Sequence, residues 1–316
     1  MTAGRVATTL RRWIDSGAAA KDDAGTGIDW PRVVPFLLVH AGCVGVLWTG
    51  TSVVAVSAAV ALFWLRMFAI TAFYHRYFSH RAFRTSRAAQ FFFALLGASA
   101  VQRGPLWWAA HHRQHHAQAD RPGDLHSPTL SGFFRSHVGW FLSRENFATR
   151  EKLVPDLARY PELRWLDRWD AAVPAALTLA LVATGAVLER KAPGLGTGPW
   201  QMLVWGFCIS TVVLWHATFT INSLAHRFGS RRYATRDDSR NNSWLALLTL
   251  GEGWHNNHHR YPAAARQGFY WWEIDISYLA LRALAALGIV WDLQPVPLAI
   301  RESHRAAQRD GRCGSR

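Results

Sequence analysis

The sequence predicts an all-α integral membrane protein in which four transmembrane helices form two hairpins under a cytoplasmic helical cap. Half of the 316 residues are hydrophobic, and many of them gather in four almost uncharged runs. Each run has the roughly 17 to 25 residues that an α-helix needs to cross a bilayer. Nine histidines also cluster next to the ends of these runs. We expect the spans at about residues 33–50, 53–74, 171–188 and 201–221.

The first two runs follow a mostly polar arm, residues 1–32. The run at 33–50 carries no charge, and the run at 53–74 carries only Arg66. Buried helices of soluble proteins normally keep a polar stripe, which these runs lack, so we interpret them as spans. The polar arm and the late first run argue against a signal peptide. Arg66 can snorkel or pair inside the protein, and we assign it no function.

Residues 75–170 connect the two pairs of runs and form the first part of the predicted cap. Within them, residues 87–101 are apolar but too short, at about 15 residues, to cross a bilayer. We expect a helix that lies in the membrane interface or packs on the spans. Residues 161–170 mix leucines and tryptophans with charges, an amphipathic pattern suited to the headgroup level, and lead into the third run.

The second pair of runs is followed by residues 222–300, the rest of the cap, and by a basic tail at 301–316. Residues 270–291 are apolar on most sides but contain three charged side chains. We therefore expect a helix docked on the surface here, and not a fifth span.

The distribution of charge predicts the orientation in the membrane. The connection within the first pair of runs has no charge and that within the second has three, whereas nearly all lysines and arginines lie in the arm, the cap and the tail. The positive-inside rule places both termini and all the histidine clusters on the cytoplasmic side of an inner or plasma membrane.

The net charge of +14 suits anionic lipid, an acidic redox partner or a phosphate-bearing substrate carrier. No nucleic-acid motif accompanies it, and the three scattered cysteines form no CxxC site.

The histidines indicate a site for two metal ions. In 112–116 and 255–259 they occupy positions i, i+3 and i+4, one face of a helix, so two facing triplets could hold two metals. His75 and His80 would point about 140° apart on an ideal helix, so they serve different metals or the helix ends between them. Zinc would favour mixed ligands or HExxH, and carboxylate-rich iron sites use few histidines. A nitrogen-rich site for two redox metals remains.

The motifs HRYFSH, HHRQHH, NSLAH and HNNHH, in this order around the two pairs of runs, resemble those of the membrane fatty-acyl desaturases. The stearoyl-CoA (delta-9) type is the most similar, and we expect a bacterial member. The resemblance covers about residues 65–278 and implies a single desaturase domain at 33–300 with two iron ions, Fe2+ or Fe3+. Asn222 would reach a metal through water. The implied ligands are His75, His80, His112, His115, His116, His226, His255, His258 and His259.

The resemblance also points to residues around the metals. Asp124, His126 and His137 lie in family-like segments; they would orient metal ligands or be merely structural. The tryptophans near the motifs would line an apolar tunnel or serve as interfacial anchors. The implied substrate contacts are Arg144, Trp140, Trp215 and Trp254.

The acyl carrier is where the sequence departs from the family pattern. Animal acyl-CoA members have Arg-Asp directly before the second motif, where this chain has Ala110 and His111. Arg144 keeps one basic contact, but Glu145 replaces a further lysine. A long-chain acyl thioester, acyl-CoA, is the first expectation, with acyl carrier protein and phospholipid as alternatives. By family frequency, the double bond forms at the ninth carbon.

The reaction implied by the resemblance is O2-dependent dehydrogenation that introduces a cis double bond. The chain has no haem segment and no flavin or nicotinamide fingerprint. A ferredoxin, rubredoxin or cytochrome b5 with its reductase is therefore the implied electron donor, and membrane lipid surrounds the spans. A hydroxylase or acetylenase of the same superfamily would share every ligand. A metal transporter would carry ionisable residues along the spans, whereas here they lie beyond the span ends, which argues against that class.

Overall fold

The computed structural model describes residues 11–18, 25 and 27–304. These residues are mostly helical. In chain order the α-helices are α1 Trp30–Cys43, α2 Val46–Thr49, α3 Val53–Phe68, α4 Arg87–Ala98, α5 Pro105–Gln118, α6 Pro128–Phe134, α7 Pro155–Ala158, α8 Pro161–Arg168, α9 Ala172–Lys191, α10 Pro199–Gln201, α11 Ser210–Ser223, α12 Ser243–Leu248, α13 His255–Arg260 and α14 Ile276–Ala286.

Three π-helical segments, whose backbone bonds join residues five apart, continue some of these helices. Ala69–Ser79 extends α3, Arg135–Gly139 follows α6, and Met202–Ile209 joins α10 to α11. The remaining elements are an antiparallel pair of short strands, β1 Arg84–Thr85 and β2 Val290–Trp291, and the 3-10 turns Ser16–Ala18, Arg144–Asn146, Glu151–Leu153 and Pro193–Leu195.

Four continuous helical stretches are long and apolar enough to cross a membrane. They are Arg32–Thr49, Val53–Ser79, Ala172–Lys191 and Pro199–Ser223, named span 1 to span 4 in chain order. Each coincides with one of the four predicted runs, which confirms the four apolar helices. Span 2 extends beyond the predicted end at residue 74 because its π-helical segment continues the helix.

Span 4 packs against each of the other three spans. Arg66, the single charge of span 2, is part of this contact. Its guanidinium donates to Thr211 Oγ1 at 2.8 Å, Ser210 Oγ at 2.5 Å and the carbonyl of Ser99 at 3.3 Å. Hydroxyl groups of span 4 thus accept hydrogen bonds from the buried guanidinium, so Arg66 links spans 2 and 4.

The short connections of the two pairs of spans lie side by side. Thr197 Oγ1 donates to Ser52 Oγ at 2.7 Å, and Trp205 Nε1 donates to the carbonyl of Gly50 at 3.0 Å. Spans 2 and 4 both start from this end. The histidine-bearing segments therefore follow these spans at the opposite end.

The cap packs on the π-helical end of span 2. Helices α4, α5 and α14 all contact the segment Ala69–Ser79, and α8 packs against α4 and α5. A Cβ at Gly97 of α4 would overlap the ring of Tyr74, so these two helices approach closely. The helix predicted within 87–101 is thus packed against span 2. The one predicted within 270–291 is α14, which lies at the surface and beside span 2, where Ser277 Oγ is 2.6 Å from Thr71 Oγ1.

Candidate metal centre

Nine histidines, far apart in sequence, converge into two groups. Within each group, one nitrogen from every histidine lies within 4.8 Å of those of the others. Most of these side chains are buried. The first histidine group is His75, His80, His112, His116 and His258, and the second histidine group is His115, His226, His255 and His259.

Each histidine triplet contributes to both groups. His112 and His116 of α5 belong to the first group, and His115 belongs to the second. At 100° per residue, positions i+3 and i+4 differ by about 100° around the helix, so α5 lies between the groups and faces both. The three imidazoles of the triplet lie on one side of α5, with ring centroids 4.6 to 6.2 Å apart, and are shared between the two groups. Helix α13 divides in the same way.

The π-helical segment explains why His75 and His80 belong to one group. The amide of His80 donates to the carbonyl of His75 at 3.3 Å, a bond between residues five apart. This turn brings the two rings to a centroid distance of 4.9 Å. The helix ends at Ser79, between the two histidines, as one sequence alternative required. Because both histidines belong to the first histidine group, the geometry favours this alternative over one metal for each.

Four of the nine imidazoles have a carboxylate on Nδ1. A carboxylate at neutral pH only accepts, so the proton of each imidazole sits on Nδ1 and Nε2 keeps a lone pair. The pairs are His75 with Glu252, His115 with Asp124 at 3.0 Å, His226 with Asp120 at 2.8 Å, and His259 with Asp237 at 2.9 Å.

The resulting donor set fits a metal ion in each group. The Nε2 atoms of His115 and His259 are buried and have no hydrogen-bond partner among the described residues. In the first group, Nε2 of His258 lies 3.0 Å from that of His75 and 2.9 Å from that of His116. Since His75 keeps a lone pair on Nε2, a proton on His258 Nε2 would form a good hydrogen bond to only one of its two neighbours. A cation at this point would instead bind all three nitrogens, and neutral imidazole is the commonest metal ligand in proteins.

The charges around the groups agree with this fit. Burial, followed by the neighbouring imidazoles, holds the pKa of His112, His116 and His258 well below the usual value, so these rings are neutral, as metal ligands must be. Burial alone would raise the pKa of Asp120, but bonds from His226 and Ser127 outweigh it and lower the pKa to about 2. The supporting carboxylates therefore stay ionised.

A cavity of about 500 Å³ reaches from the surface to the first histidine group. Its wall is mainly apolar and aromatic, formed by spans 1, 3 and 4 and by α5. His112 and Asn222 lie in its wall next to the first histidine group, and Thr178 of span 3 and Phe207 of span 4 line it as well. The cavity has the volume and the apolar wall to hold a hydrocarbon chain beside the first histidine group.

The polar part of the cavity wall, which we call the mouth, carries an excess of positive charge. Arg32 donates to Asp29 at 2.9 Å, and Arg103 donates to Asp170 at 2.6 Å. Arg12 also lines the mouth and has no ion pair with the described residues. With three arginines and two aspartates, the mouth suits an anionic head group.

Residues 50–292 match the family model described as fatty acid desaturase. The chain belongs to the fatty acid desaturase family. Fatty acid desaturases most similar to it include the sn-2 palmitoyl-lipid 9-desaturase of Nostoc sp. (strain 36), 37% identical over 266 residues, which are 82% of this chain and 88% of that one. The sn-1 stearoyl-lipid 9-desaturase of Anabaena variabilis is 33% identical over 270 residues, 84% of this chain and 94% of that one.

One relative carries the name of a different activity. The hex-5-enoyl-[acyl-carrier protein] acetylenase of Moorena producens (strain JHB) is 32% identical over 278 residues, which are 83% of this chain and 84% of that one. Matches of this length confirm the family resemblance and its cyanobacterial, hence bacterial, relatives. They do not single out one acyl carrier.

Of the three residues expected to orient metal ligands, two lie next to a histidine group and one does not. Asp124 accepts directly from His115, and His126 packs on that same ring at 4.2 Å between centroids. His137 contacts Ser223 Oγ and His216, at 2.9 and 3.0 Å, and no histidine of either group.

The expected substrate contacts also separate into two sets. Trp140 and Trp215 line the cavity. Arg144 is exposed outside the lining, and Trp254 donates from Nε1 to the carbonyl of Ile274 at 2.8 Å. Neither Arg144 nor Trp254 is part of the cavity lining, so their contact with substrate stays a prediction.

Sequence reasoning missed three carboxylates that contact the histidine groups: Asp120, Asp237 and Glu252. Asp120 follows His116 by four residues, and Glu252 precedes His255 by three. Closeness in sequence to a histidine motif was the available signal. Asp237 had none, because a loop folds it back onto His259.

Proposed function

We propose that this protein is an O2-dependent acyl desaturase that introduces a cis double bond, at the ninth carbon, into a long saturated acyl chain. The observation that carries the proposal is the cavity: its mainly apolar wall reaches the first of two histidine groups that fit two metal ions. The family membership agrees with this reaction.

We assign one iron ion to each histidine group, with Asn222 reaching the metal site through water. When bound, the irons would supply the redox chemistry that breaks two strong C–H bonds with O2. The protein residues do the rest. The four carboxylates hold the imidazoles in one tautomer and orientation, and the aromatic wall excludes bulk water and fixes which carbons lie next to the metals. Overall, the chain loses two hydrogens, and O2 with two protons and two electrons becomes two waters.

For the carrier we favour a glycerolipid ester. Two relatives that align over most of their length are lipid 9-desaturases by name. The cavity is bounded by membrane-length helices, so a bilayer lipid can supply its chain without leaving the membrane, and the arginines of the mouth lie where a head group would sit. Acyl-CoA, the expectation from sequence, and acyl carrier protein are the competing carriers; both of these and a phospholipid would offer phosphate to the mouth.

The membrane arrangement is also a proposal. We place spans 1 to 4 as two hairpins with the cap, both termini and the active site on the cytoplasmic side. The adjacent connections 50–52 and 192–198 support this, since basic residues are scarce there and abundant at the opposite end. Electrons would come from a ferredoxin, rubredoxin or cytochrome b5 with its reductase.

Expression in a desaturase-deficient bacterial host, followed by mass spectrometry of each lipid class, tests the proposal. We expect monounsaturated chains to appear first in glycerolipids, before any free pool of unsaturated acyl-CoA. His258→Ala should abolish the product, whereas His304→Ala, a histidine away from both groups, should not. Unchanged lipids in the presence of a working redox partner would contradict the desaturase, and a triple bond or hydroxyl product would favour the acetylenase or hydroxylase instead.

A further inference from the structure

Three buried polar atoms in the cavity wall have no hydrogen-bond partner among the described residues. They are Nε2 of His111, Nδ1 of His126 and Nε1 of Trp140. Their side chains are only 2, 5 and 8% exposed, and all three line the cavity. Native proteins rarely leave buried polar atoms unpaired, because each then loses its hydrogen bond to water without replacement. We therefore expect a polar group in this part of the cavity.

The three side chains are neighbours and form what we call the polar niche. The ring centroid of Trp140 lies 6.0 Å from that of His111 and 5.1 Å from that of His126. Trp107 packs behind them, stacked on Trp140 at 5.5 Å. On one side of the polar niche, Arg103 of the mouth lies over Trp107. On the other side, His126 packs on His115 of the second histidine group, so the polar niche lies between the mouth and the histidine groups.

The hydrogen-bond donors and acceptors of the polar niche limit which chemical group can bind there. His111 Nδ1 lies 2.8 Å from the carbonyl of Trp107. A carbonyl only accepts, so Nδ1 carries the proton and Nε2 is an acceptor. The indole Nε1 of Trp140 is only a donor. A methylene group would satisfy neither atom, and a carbonyl oxygen would satisfy Trp140 alone, whereas an O–H group accepts from one and donates to the other.

We propose that the polar niche binds one O–H group, supplied by a water molecule or by a hydroxyl on the substrate. The site is lined by enough polar atoms for an ordered water, which needs two to four partners. A hydroxylated acyl chain would displace that water and keep its hydrogen bonds, so the niche would let such chains enter without penalty. The inference depends on the geometry of the wall and not on the proposed reaction.

Thermal unfolding of the full-length protein in detergent micelles tests this. We compare four proteins: the wild type, Trp140→Phe, His111→Leu and the double variant. Each is measured without ligand, with stearate and with hydroxystearate. The control is Trp215→Phe, which also shortens a cavity tryptophan but removes an indole bond that is made, to the carbonyls of Ala100 and Val101 at 3.2 and 3.0 Å. Loss of a hydrogen bond from the indole Nε1 should lower Tm by about 2 °C or more.

If water fills the polar niche, Trp140→Phe lowers Tm as much as Trp215→Phe in the substrate-free protein. The double variant then loses less than the sum of the single variants, because both residues hold the same oxygen. If the substrate supplies the hydroxyl, the variants match the wild type alone, but hydroxystearate stabilises only the wild type beyond stearate. Single variants at least as stable as the wild type under all three conditions would overturn the proposal.

An experimental density map gives a second readout should His111→Leu fail to fold. A peak within about 2.7–3.2 Å of both Trp140 Nε1 and His111 Nε2 in the wild type is the expected result. A polar niche without density, with and without hydroxystearate, would refute the proposal.

Discussion

Asp237 illustrates how single carboxylates set the properties of the histidine groups. Burial raises its pKa, but hydrogen bonds from His259 and Ser239 outweigh burial and hold the pKa below the usual range. We expect Asp237→Asn to weaken metal binding by roughly 10- to 100-fold, since it removes the charge that orients His259. Metal content after dialysis against graded chelator measures this. The neighbouring, more exposed Asp238 is the matched control, and an equal loss in Asp238→Asn would contradict the assignment.

Asp167 makes stability depend on pH in a predictable direction. Burial raises its pKa from 3.8 to about 6, although Thr149 and the amide of Trp107 donate to it. Because the pKa is higher in the folded state, its stabilising contribution is full below about pH 4 and is lost as the pH rises through about 6. We expect Asp167→Asn, relative to wild type, to gain on the order of 2 kcal/mol between pH 4 and 7.

Unfolding midpoints of both proteins across this pH range check the Asp167 prediction. The difference between the two curves is the relevant quantity, since other groups titrate equally in both. Parallel curves would show that Asp167 keeps an ordinary pKa.

At the residue scale, the sequence predicted the nine clustered histidines but not their sorting or their supports. Residue type and spacing reveal imidazoles that face a common side. Which group His115 joins depends on where α5 sits between two other segments, and that is a matter of tertiary packing. Asp237 and Glu252 escaped detection because loop carboxylates are common, and only the folded chain places them on His259 and His75.

At the element scale, the close approach of α4 to the π-helical end of span 2 depends on Gly97. A Cβ there would overlap the ring of Tyr74, next to His75. We expect Gly97→Ala to cost about 1–3 kcal/mol of folding free energy through overpacking. Loss of metal should accompany it, because Tyr74 and His75 are neighbours. Denaturant unfolding together with metal analysis measures both effects.

Gly194 is the matched control for Gly97. It lies in the connection between spans 3 and 4, where an added Cβ meets nothing within 4 Å. We expect Gly194→Ala to be neutral within about 0.5 kcal/mol. If Gly97→Ala were equally neutral, the tight packing of α4 against span 2 would be wrong.

The positions of the spans were predictable because hydropathy and length alone determine them. The π-helical ends of spans 2 and 4 were not, since a π-turn arises from packing and leaves no periodic pattern. The π-turn determines the placement of two motif residues. In α-helical geometry the side chains of His75 and His80 would point apart, whereas the π-turn brings them together. Packing also decides which of the predicted tryptophans line the cavity: Trp140 and Trp215 do, whereas Trp254 bonds to the loop at Ile274.

For the whole molecule, the proposed orientation predicts which residues are accessible from outside the cell. A membrane-impermeant thiol reagent should label Gly194→Cys in intact cells, because the connection between spans 3 and 4 faces out. Cys313 in the basic tail should react only after the membrane is opened. Labelling of Cys313 in intact cells would reverse the assigned orientation. The buried Cys208 should remain unlabelled in both cases.

The division of each triplet between the two histidine groups also constrains biogenesis. As the chain leaves the ribosome, before residue 255 emerges, the first group has four of its five histidines and the second has only two of its four, His115 and His226. Neither set is complete until α13 docks. On the proposed metal assignment, complete sites therefore form only after insertion of span 4, late in assembly, and a chain that stops before α13 would be an unfinished, metal-poor precursor.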